Sequence, residues 1–189
     1  MPICSASERP IARGSRAVSD ADGDRGFSTE QRTGLEARQI DQDRTLDAVH
    51  RLEAALSAAA PGREAPWRDS VLDALSVLET ATTEEASNAR QPDSLLSDLA
   101  RTQPRLRNRA RALRMQYENL RDTITSLRRE IVEAREAPSD YADIRQRLGW
   151  VLSALRHQRA RESDLIYEAY FDAFRHELRQ PPAADEAQG

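Results

Sequence analysis

The stretch LRNRARALRMQYENLRDTITSLRREI, residues 106–131, sets Leu106, Ala110, Leu113, Tyr117, Leu120, Ile124, Leu127 and Ile131 at strictly alternating steps of four and three. Residues at those steps share one face of a helix. An apolar seam sustained this long is stable only when other helices cover it. Thr102 and Pro104 open the helix, and Ala137-Pro138-Ser139 closes it.

On the C-terminal side, Ile144, Leu148, Val151, Leu155, Leu165 and Ala169 recur at the same kind of spacing and predict a helix over residues 140–178, with Gly149 in its interior. Glu162 falls on that apolar face, and Gln158 lies closer to it than His157 does. Burying a carboxylate is unfavourable unless a cation, a metal or a hydrogen-bond donor meets it. The partner of Glu162 is therefore the first functional question, and an arginine from a neighbouring helix is one answer.

On the N-terminal side, the stripe Trp67, Val71, Ala74 or Leu75, Leu78 and Thr82 predicts a helix that starts near Pro66 and ends by Gln91-Pro92. A short helical turn over residues 93–100 links it to the seam. Ahead of it, Leu35, Gln39, Gln42, Leu46, Val49, Leu52 and Leu56 trace a further helix, polar in its first half, that ends before Pro61-Gly62. Ser28 and Gln31 suit a capping box at its start. Residues 1–27 carry Ser, Arg, Gly, Asp and Ala without a period and are expected to be a disordered tail, and residues 180–189 a flexible one. Four long helices with short connections predict an all-α, up-down antiparallel four-helix bundle over residues 28–179.

Composition narrows the function classes. In 189 residues, all 28 basic residues are arginine against 32 acidic ones, a net charge of -4 that speaks against a nucleic-acid-binding protein. Arginine without lysine, together with abundant alanine, reads as the codon bias of a high-GC bacterium. Arg105, Arg107, Arg109 and Arg111 stand two residues apart, so they fan around a helix instead of lining one face. No run approaches the roughly 18 apolar residues of a membrane span, and Cys4 alone makes neither a disulfide framework nor a thiolate site. A soluble cytoplasmic protein is expected. With no Gly-rich phosphate loop, no G-x-S-x-G elbow and no nucleophile beside a base, the chain is not expected to be an enzyme.

Several segments, from about residue 43 to residue 170, resemble the hemerythrin-like (HHE cation-binding) family. VHRLEAAL around His50 is similar to the first-helix histidine motif, and LETATTEEA from Leu78 is similar to H-x-x-x-E, with Glu84 in the carboxylate place and Thr80 where the histidine stands. MQYENL resembles the third-helix histidine segment with Tyr117 substituted, and His157 with Glu162 resembles the fourth-helix H-x-x-x-x-D/E pair followed by DLIYEAY. The resemblance implies a four-helix bundle holding non-haem iron, up to a di-iron centre, ligated by His50, Glu84, Tyr117, His157 and Glu162. Metal and dioxygen would be its ligands, in a sensor, carrier or storage role. The alternative is a bundle that keeps the fold without the metal, as a structural or protein-interaction module, with Tyr117, His50 and Glu162 as a polar network in place of the centre. Either protein could pair with a second copy through its long third or fourth helix.

Overall fold

The structure, a computed structural model, describes residues 26–58, 62–133 and 141–179. Among the described residues it is all-helical: α1 Thr29–Ser57, α2 Glu64–Asn88, α3 Leu95–Thr102, a 3-10 turn at Pro104–Leu106, α4 Arg107–Glu133, α5 Tyr141–Ala169 and α6 Phe171–Glu177. No described helix is long and apolar enough to cross a membrane.

Local chemistry explains the ends. Ser28 caps α1, accepting from the Gln31 backbone N–H at 3.2 Å while the Gln31 side chain accepts from the Ser28 N–H at 3.0 Å. Two donors that no helical carbonyl can reach are thereby satisfied. Ser94 caps α3 in the same sense. The C-terminal closure expected at Ala137-Pro138-Ser139 lies outside the described residues, as do Cys4, residues 1–25 and the tail over residues 180–189.

The apolar stripes bury as their spacing predicts, and they form two clusters. The first unites Ala48, Val49 and Leu52 of α1, Trp67, Val71, Leu75 and Leu78 of α2, Ile124, Leu127 and Ile131 of α4, and Leu148, Val151 and Leu155 of α5. The second joins Ala86 of α2, Leu95, Leu96 and Leu99 of α3, Leu106, Leu113 and Tyr117 in and just before α4, and Leu165 and Ile166 of α5. Members of the second cluster precede those of the first along α4, and the order is opposite along α2 and α5; Leu35, early in α1, packs on the second cluster ahead of Ala48, Val49 and Leu52 in the first. Part of the arginine row joins these elements at the surface: Arg105 and Arg109 both pair with Glu168 of α5, and Arg114 donates to the Ser97 hydroxyl of α3 at 2.7 Å.

Two local expectations are corrected. Phe27, placed in the disordered tail by composition, is buried, with its ring 4.8 Å from that of Phe174 and 5.6 Å from that of Tyr170. The helix expected to run unbroken over residues 140–178 is interrupted at Tyr170. Backbone bonds still bridge the joint, from Tyr170 N–H to Ile166 C=O and from Phe174 N–H to Tyr170 C=O, both at 3.0 Å. The Tyr170 hydroxyl donates to Asp98 of α3 at 3.0 Å. Burial, and then the Asp98 charge, push that hydroxyl above the ordinary tyrosine range. Contacts to distant elements hold the joint, so no local pattern announces it.

Candidate functional site

Between the two apolar clusters lies a layer of buried polar side chains, one or more from each long helix. From α1 comes Arg38, from α2 Glu85, from α4 Tyr117, and from α5 Gln158 and Glu162. Glu162 is fully buried, at 0% exposure. Its partner is Arg38, whose Nε and Nη2 both donate to the two oxygens of Glu162 in a forked pair. The same Nη2 donates to Glu85 Oε1 at 2.5 Å and to the Tyr117 hydroxyl at 2.6 Å. Gln42 Nε2 donates to Glu162 at 3.0 Å, and the Thr45 hydroxyl to Glu85 at 2.9 Å. One planar guanidinium thus gathers three other helices, a task that its fixed fork of donors suits.

The electrostatics follow from burial. Desolvation by itself would weaken Arg38's hold on its proton, but the hydrogen bond to Glu162 and the negative neighbours outweigh it, and the group titrates above its already high range. Glu85 moves upward because burial disfavours its charge; Arg38 opposes that shift, and the nearby Glu162 adds to it. Tyr117 is raised well above the tyrosine range by burial and then by the Glu162 charge. Two carboxyl groups thus share a single guanidinium.

Because the folded chain binds a proton at Glu85 more tightly than the unfolded chain does, the Glu85 contribution to stability falls as pH rises from the ordinary glutamate range, about 4.3, through the higher folded value. We expect the stability difference between the natural chain and Glu85→Gln to shift in favour of the variant over that rise. Urea midpoints at several pH values check this; a difference that is flat, or that runs the other way, would remove the strained carboxylate from the account.

Of the five residues singled out by the family resemblance, Tyr117 and Glu162 meet in the hydrogen-bonded layer, His50 lines the cavity beside it, and Glu84 and His157 do not. His50 and His157 are exposed, and Glu84 is an exposed partner of Arg44 at 2.5 Å. The inward acid on α2 is Glu85, one residue on. Among the described residues no three His, Cys, Asp or Glu side chains cluster as metal ligands do. As placed, the five do not fit a di-iron centre: His157 and Glu84 are exposed side chains outside the layer, His50 is exposed at its edge, and the guanidinium of Arg38 pairs with both buried acids. The network expected from Tyr117, His50 and Glu162 is corrected likewise, with Arg38 and Glu85 in the place given to His50.

Spacing could have found the residues that were missed. Arg38 stands three after Leu35 and four before Gln42, and Glu85 stands three after Thr82, so both continue their stripes. Comparison with protein families, with curated proteins and with solved structures finds no match to this chain.

Proposed function

We propose that the chain is an up-down four-helix bundle of hemerythrin-like type that works without a metal, as a structural or protein-interaction module. The alternation of helix direction supports the bundle topology. The observation that carries the metal-free reading is the forked pair of Arg38 with Glu162, extended to Glu85 and Tyr117. A cation already fixed by protein donors satisfies these acids and repels a second one. The layer would set the register of the helices: a one-turn slip of α1, α2 or α5 would leave a buried charge unpaired, and a slip of α4 would part the Tyr117 hydroxyl from Arg38. Large apolar side chains left on the outer faces, Met115 on α4 and Trp150 and Tyr167 on α5, suit contact with another protein.

Calorimetric titration of the purified chain with iron(II) under anaerobic conditions, and with zinc, tests this reading. No saturable heat is expected. Stoichiometric binding that disappears in Glu162→Gln would overturn it and restore a metal centre.

A further inference from the structure

Beside the polar layer, α1 and α5 enclose a cavity of about 70 Å³. Its apolar wall is Leu46, Val49 and Leu155; Arg159 and the ion pair of Arg156 with Glu53 stand at its charged side. Two side chains that line it each keep one buried polar atom without a protein partner: Nη1 of Arg38, a donor, and Oε1 of Gln158, an acceptor. Gln158 is only 4% exposed. A buried donor and a buried acceptor left unmet are costly, and a native interior rarely keeps both without something between them. The space is several times the roughly 10–15 Å³ that a single water needs, and part of its wall is apolar.

We infer that this cavity is a binding site for a small neutral molecule carrying a primary amide, whose carbonyl accepts from Arg38 Nη1 and whose N–H donates to Gln158 Oε1. The unmet pair selects against the other options. A carboxylate offers an acceptor to Nη1 but sets a second oxygen, with no donor, against Gln158 Oε1, and an ammonium offers the donor but has no acceptor for Nη1. A ketone offers the acceptor but leaves Gln158 unmet. The methyl or methylene carbon of the amide would rest on Leu46, Val49 and Leu155. The inference rests on the reading that a guanidinium, and not a metal, holds the centre, because a metal there would take Glu162 away from Arg38.

Three probes of nearly one shape test it: acetamide, acetone and acetate, each titrated into the isotope-labelled chain while the Arg38 Nε–H and Gln158 side-chain amide signals are followed by NMR. For so small a ligand the affinity falls in the millimolar range. Acetamide is expected to shift both signals saturably, acetone to bind about tenfold more weakly for want of the donor, and acetate to produce no saturable shift. Gln158→Leu should erase the preference for acetamide over acetone. Equal binding of acetamide and acetone by the natural chain, or no saturable shift with any probe, overturns the inference and leaves a cavity filled by water. This comparison uses the unmodified chain and so decides even if Gln158→Leu fails to fold. Iron binding in the calorimetric titration would overturn the metal-free reading itself, whereas absence of both iron and acetamide binding would overturn only the amide site.

Discussion

Arg38→Met is expected to lower the stability of the chain by about 3–5 kcal/mol, the cost of leaving buried charge without its counter-ion. The size of the effect comes from what remains. Glu162 is fully buried, Glu85 nearly so, and both take hydrogen bonds from the one guanidinium. Removing Arg38 leaves two carboxyl groups facing each other in a buried layer, where protonation is their main relief. The loss should therefore shrink on acidification. Replacing Glu85 and Glu162 by leucine in the same chain should recover most of it, because an apolar layer of similar volume has no charge left to satisfy. Urea unfolding of the single and triple variants measures both effects. A single-variant loss under about 1 kcal/mol, the range of an exposed ion pair, would mean that Arg38 does not hold this layer.

Leu78→Ala should cost about 2–5 kcal/mol, the transfer free energy of the lost methyl groups plus the cavity they leave. Leu78 has no exposed surface and belongs to the first apolar cluster. Leu99, equally buried in the second, should cost a comparable amount on truncation. The pair is informative because the polar layer lies between the two clusters. If that layer couples them, each variant lowers the midpoint of one shared unfolding transition, seen identically by circular dichroism and by Trp67 fluorescence. Two separated transitions, with Leu78→Ala moving only one, would show that the layer divides the core instead of joining it.

Much of this architecture is legible in the order of the residues. The four-three alternation over residues 106–131 marks the inward face of α4, and its members are buried except Leu120, which is partly so. The Ser28 cap with Gln31, the approximate bounds of the long helices, and the inward aim of Glu162, Gln158 and Tyr117 follow from spacing within about two turns of chain. Short-range geometry decides these features, because a helix repeats the same face whatever it meets. The same rule reached Leu35 and Gln42, yet Arg38 between them was missed, since an arginine is by its chemistry a surface residue until a partner is known. The family motif points to Glu84, whereas the stripe through Leu78 and Thr82 leads to Glu85.

What a pattern within one helix could not contain is the meeting of residues separated by 47, 79 and 124 positions. Periodicity states which side of a helix is covered and says nothing about which residue of another helix arrives opposite. That choice depends on the relative height of four helices, and the height is set by the packing of both apolar clusters together. The sequence by itself therefore determined helices, their faces and the need of Glu162 for a partner. Only the tertiary structure decided that the partner is Arg38, that Glu85 and Tyr117 share it, that His50 and His157 are exposed, and that Phe27 is core.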